Sequence, residues 1–106
     1  MPWNAGEELS RQTYADGAVF VLRELVQGVP VRVVVRSYGG GEAWVRYVAM
    51  PRPVARRVFR LVIDRWAQPV TPDAGYSPTG RNCWDVLRVI RTRRFVVLAQ
   101  SGCRDV

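Results

Sequence analysis

Three groups of arginines hold most of the chemistry that the side chains of this chain could perform. Arg32, Arg36 and Arg46 alternate with valines and with Trp44 over residues 31–49. Arg52, Arg56, Arg57 and Arg60 recur along a stretch with helical spacing, and Arg88, Arg91, Arg93 and Arg94 crowd a predicted turn, with Arg104 further on. Guanidinium is planar and permanently charged, bonds phosphate or carboxylate through two parallel N–H groups, and stacks on rings. All 16 cationic side chains are arginine and only 9 acids oppose them, which leaves a net charge of +7. A GC-rich genome would favour arginine codons over lysine codons, but codon bias does not produce an excess of positive charge. A field of that sign draws in polyanions and speeds encounter with them.

Other chemistries are poorly served. The chain has no histidine, so Ser-His, Cys-His and His-metal arrangements are excluded, and acid–base work at neutral pH would fall to a carboxylate, cysteine or tyrosine with a shifted pKa. The acids are scattered and show no paired-carboxylate pattern. Cys83 and Cys103 are too few for a disulfide scaffold or a typical zinc site. Gly39-Gly40-Gly41 joins two predicted strands rather than a strand and a helix and lacks the lysine of a phosphate-binding loop, so it reads as a hairpin tip. The expectation is a non-enzyme with no metal and no cofactor.

Each arginine group also has a structural explanation. The residues of the first hairpin could be a solvated or covered face, with Trp44 packed beneath the helix. The cluster from Arg88 to Arg94 could guard the ends of the apolar runs Val86–Ile90 and Phe95–Leu98 against edge-to-edge aggregation. The helical cluster lacks Asn or Gln among its arginines, so it predicts no base-specific readout. Arg32, Arg36, Trp44, Arg46, Arg56, Arg60, Arg91, Arg93 and Arg94 are the candidate contacts to nucleic acid or a protein partner. Sequence does not say whether the helix patch and the hairpin patch share one side of the molecule.

The elements that must position these residues follow from periodicity. At 106 residues and 48% apolar content, the chain has the size of one small domain and lies outside the composition range of disordered chains. Residues 1–17 are polar and predict a tail or loop, leaving 18–106 as the domain. Val31 to Arg36 and Ala43 to Ala49 alternate around Tyr38-Gly39-Gly40-Gly41-Glu42, which predicts a hairpin. With Ser37 and Ala43 flanking its loop, Val35 faces Val45 and Val33 faces Tyr47 on the core side, and Arg32, Val34, Arg36, Trp44, Arg46 and Val48 share the other.

Pro51 and Pro53 open a helix over about 54–67, with Val54, Val58, Leu61 and Val62 on its inner stripe and an Arg60–Asp64 pair outside. Residues 18–27 fit a helix capped by Asp16 and Gly28, narrowly preferred to a strand. Residues 83–99 fit a hairpin turning at Thr92-Arg93-Arg94, whose three-residue loop would set Cys83 opposite Cys103. Between Ala67 and Arg81 lies a long segment rich in proline and glycine. The predicted fold is α+β: a single small domain with an antiparallel sheet of about four strands packed on one or two helices.

The N-terminus has no secretory pattern, no apolar run is long enough to span a bilayer, and two thiols fit the cytosol. The expected function is a small basic protein docking an arginine and aromatic surface onto an acidic partner, either nucleic acid or a nucleoprotein. One alternative is an inhibitor of a nucleic-acid-handling or defence complex, of the phage anti-defence kind such as an anti-CRISPR, which would meet an acidic protein surface. Another is a histidine-free ribonuclease toxin using Tyr38, Tyr47 or Tyr76. No membrane partner is expected, and the sequence leaves a homo-oligomer open.

Overall fold

Alternating apolar residues run almost unbroken from Ala18 to Met50, and in the computed structural model, which describes residues 3, 6–39, 43–67 and 86–103, they form successive strands. The elements are β1 (Glu7–Tyr14), β2 (Gly17–Val26), β3 (Val29–Tyr38), β4 (Ala43–Pro51), α1 (Arg52–Ala67), β5 (Val86–Arg91) and β6 (Phe95–Cys103). They make one six-stranded sheet in the order β1-β2-β3-β4-β6-β5, antiparallel throughout. The last hairpin returns after α1 with β6 against β4, which puts β5 at the sheet edge. The α+β class holds, with six strands rather than four and one helix among the described residues.

Two predicted elements are corrected. Residues 18–27 are strand β2, not a helix: Gly28 closes a two-residue hairpin turn in which Val26 pairs with Val29, and Gln27 and Gly28 have φ of 52° and 76°. A left-handed glycine ends a helix as readily as it turns a hairpin, so the sequence signal is the same for both. The second correction is β1, which occupies most of the stretch predicted as a polar tail. It is an outer strand with every residue exposed and a bulge between Glu8 and Ser10, so it needs no apolar alternation to pair with β2. Trp3 adds a bridge to Val26.

Burial explains how the helix sits. Ala55, Val58, Val62 and Trp66 fall at helical spacing on the inner side of α1 and pack on Val26, Val29, Val31, Val33, Val48, Met50, Val96 and Leu98. Of the fully buried side chains, Val58, Val62 and Trp66 come from the helix and Val26, Val48, Met50 and Leu98 from the sheet. At about 1.5–3 kcal/mol for each large apolar side chain buried, this one interface supplies most of the driving force. The helix covers only one side of the sheet. At 16 residues with five arginines, it is not long or apolar enough to cross a membrane.

The β3–β4 register corrects the predicted hairpin by one residue. Val35 faces Arg46, Arg36 faces Val45 and Ser37 faces Trp44. A one-residue slip moves every side chain of one strand to the opposite face, so Trp44, Arg46 and Val48 lie on the helix side while Arg32, Val34 and Arg36 lie on the open side. The β5–β6 hairpin forms as predicted. Its register pairs Arg91 with Val96 and Val86 with Ser101, one residue from that in which Cys83 would face Cys103. Cys83 itself, Tyr76 and the segment between Ala67 and Arg81 lie outside the described residues.

The tight turns make a paired test of this topology. Gly17 has φ of 147°, and a Cβ there would collide with the carbonyl oxygen of Ser37 across the β2–β3 ladder, so Gly17→Ala is expected to lower unfolding free energy by about 2 kcal/mol or more. Gln27→Gly removes a side chain from a left-handed position and is expected to raise it by up to about 1 kcal/mol. Urea unfolding of both variants checks the signs.

Candidate polyanion-binding groove

Arg52, Arg56 and Arg60 are spaced four residues apart, so they stand on one face of α1 and climb its axis by about 6 Å per step. Together with Arg91 at the end of β5 they rim a groove of about 420 Å³ floored by Ala55, Phe59 and Val96. The guanidinium of Arg91 lies over the half-buried Phe59 ring at 5.4 Å. The Arg52 backbone N–H donates to the Arg94 carbonyl at 3.1 Å, tying the β5–β6 turn to the start of the helix. That turn is closed by the Thr92 N–H donating to the Phe95 carbonyl at 2.8 Å and by the Phe95 N–H donating to Thr92 Oγ1 at 3.0 Å. Arg93 and Arg94 project from it, exposed.

The groove is electrostatically one-sided. Among the described residues the ion pairs are Arg11–Glu8, Arg23–Glu7 and Arg36–Asp16, and none involves a groove arginine. The predicted Arg60–Asp64 pair does not form. The first turn of α1 holds no acid, and Asp64, the helix's one acid, lies near the far end. A helix N-terminus already carries partial positive charge and favours anions. Placing Arg52 there works against helix stability, and a bound anion would relieve it.

The other predicted contacts are placed differently. Arg36 lies on the open face between the rings of Tyr14, at 5.1 Å, and Tyr38, at 4.3 Å, and donates to Asp16 Oδ1 at 2.9 Å and to the Ser37 carbonyl at 3.1 Å. The Arg36 hydrogen bond holds the Asp16 carboxyl below the usual carboxylate range. Arg46 is on the helix side. Its guanidinium lies 4.3 Å over Trp66 and 5.4 Å from Trp44, and its Nε donates to Gln100 Oε1 at 2.7 Å. Nearby, burial pushes the Glu24 carboxyl above its ordinary pKa, opposed by Arg46, Arg65 and the indole of Trp3. Arg32 is exposed on the open face directly opposite Arg23, a like-charge pair relieved on one side by Glu7.

The structure therefore brings Arg56, Arg60 and Arg91 into one groove, places Arg93 and Arg94 on the adjoining turn, engages Arg36 with Tyr14, Tyr38 and Asp16 on the open face, and sets Trp44 and Arg46 on the helix side. The basic surface is not continuous: Arg32 and Arg36 face away from the helix. That Arg91 lies over Phe59 was not visible in the sequence, since nothing local links residues so far apart in the chain. Tyr14 and Asp16, the partners of Arg36, were missed for the same reason. The open face carries Tyr14, Tyr38, Val45, Tyr47, Ile90 and Phe95, all large apolar side chains left exposed. Among the described residues no cluster of acids or cysteines could hold a metal ion.

Arg52→Glu separates the needs of the fold from those of the groove. It places an acid in the first helical turn and is expected to stabilise the protein by about 0.3–1 kcal/mol in low salt, while weakening any polyanion held in the groove. Thermal unfolding and a heparin retention assay on the same preparation check both halves.

Comparison of the chain with protein-family models, curated proteins and solved structures finds no match.

Proposed function

We propose that this chain is a non-enzymatic nucleic-acid-binding protein that docks the groove between α1 and β5 onto the phosphate backbone of its partner. The observation that carries this reading is the convergence of Arg52, Arg56, Arg60 and Arg91 on one groove with no acid paired to any of them among the described residues. Like charges gathered this way repel one another, Arg52 in the first turn also opposes the helix dipole, and a bound polyanion relieves both. Among the described residues the groove wall offers arginine, alanine, phenylalanine and valine and no side-chain amide, a set suited to phosphate contact and not to reading base edges.

A second reading is supported by the open face. Its exposed Val45, Tyr47, Ile90 and Phe95 form the kind of apolar surface that proteins cover in complexes, as an inhibitor occupying an acidic surface of a nucleic-acid-handling complex would. The two readings use opposite sides of the sheet, so variants on one side distinguish them.

Fluorescence anisotropy of a labelled oligonucleotide over a range of salt is the test. Three to four arginine–phosphate contacts predict that the logarithm of the association constant falls with the logarithm of salt with a slope of about −2 to −4, and that Arg56→Ala with Arg60→Ala makes the slope shallower by about 1.5–2. Affinity indifferent to salt, or unchanged in the double variant, would refute the groove as the binding site.

A further inference from the structure

We infer that the groove takes a single strand of nucleic acid rather than a duplex, with its phosphates along the α1 wall and one base stacked on Arg91. The inference rests on the nucleic-acid reading above and adds to it the form of the ligand. Arg52, Arg56 and Arg60 make a straight row about 12 Å long, and all three side chains are exposed. Successive phosphates of an extended single strand can follow such a row.

The opposite wall points the same way. Arg91 lies with its guanidinium 5.4 Å from the Phe59 ring centre, is itself exposed, and has no ion-pair partner among the described residues. A planar cation resting on a ring presents a second flat face, and unpaired bases stack on arginine planes as they do on aromatic rings. Paired bases have their faces occupied by their neighbours in the duplex. The groove, about 420 Å³, has room for an unpaired nucleotide. With no amide on the wall among the described residues, the strand is held without regard to sequence.

The experiment measures the affinity of the full chain for three labelled probes of equal length at one salt concentration: a single-stranded oligothymidine, its duplex with oligoadenine, and an abasic single strand. Wild type is compared with Arg91→Lys, which keeps the charge and removes the plane. The expected result is single-strand binding at least about 5-fold tighter than duplex and than abasic binding, with Arg91→Lys losing about 5-fold or more on oligothymidine alone. Duplex binding as tight as or tighter than single-strand binding overturns the inference while leaving the nucleic-acid reading in place. So does an equal effect of Arg91→Lys on oligothymidine and the abasic strand. Binding to none of the three probes overturns both.

Discussion

Gln100 is the residue on which the placement of the helix depends. Its side chain is only 2% exposed, and a buried amide must find partners or cost the fold dearly. Its Nε2 donates to the Trp66 carbonyl at 2.8 Å, satisfying one of the free carbonyls at the end of α1, and its Oε1 accepts from Arg46 at 2.7 Å. Arg46 in turn lies against the Trp66 ring. The end of the helix is thereby fastened to β4 and β6. At the other end, Pro51 of β4 runs directly into Arg52, whose N–H reaches the Arg94 carbonyl. With both ends held, the face bearing Arg56 and Arg60 can only stand beside β5.

The arginines divide into two kinds by what surrounds them. Arg11 lies over Phe20 and pairs with Glu8, Arg36 lies between two tyrosines and pairs with Asp16, and Arg46 sits on Trp66 with Gln100 beside it. These are structural uses, with charge and plane both engaged inside the molecule. The groove arginines have no acid among the described residues, and Arg52, in the first turn of α1, opposes the helix dipole. A fold selected for stability alone would gain by placing an acid in that first turn.

Much of the scaffold was legible in the sequence because its cause is local. Prolines at 51 and 53, followed by apolar residues at helical spacing, marked α1, and the valine alternation of residues 31–49 marked β3 and β4. The register between those strands was not legible. It depends on where the chain leaves the ladder around Gly39, and a shift of one residue moved Trp44 and Arg46 from the expected binding face into the fold. Strand β2 was hidden because Val21, Leu22 and Leu25 satisfy a helical stripe as well as a half-buried strand. The polar strand β1 carries almost no signal at all, since its partner β2 supplies the pairing. The groove was half visible: its two arginine groups were evident, and their meeting across a long chain separation was not. Gln100 could have been suspected, since it follows Val96 and Leu98 at the period of an inward-facing strand position.

The most direct test of the account is a nuclear magnetic resonance titration of the isotopically labelled chain with a short oligonucleotide. The account predicts that amide and arginine Nε shifts concentrate on Arg56, Phe59, Arg60 and Arg91 and leave Val34, Val45 and Tyr47 unmoved. Shifts concentrated on Val34, Val45 and Tyr47, with the α1 face silent, would contradict it.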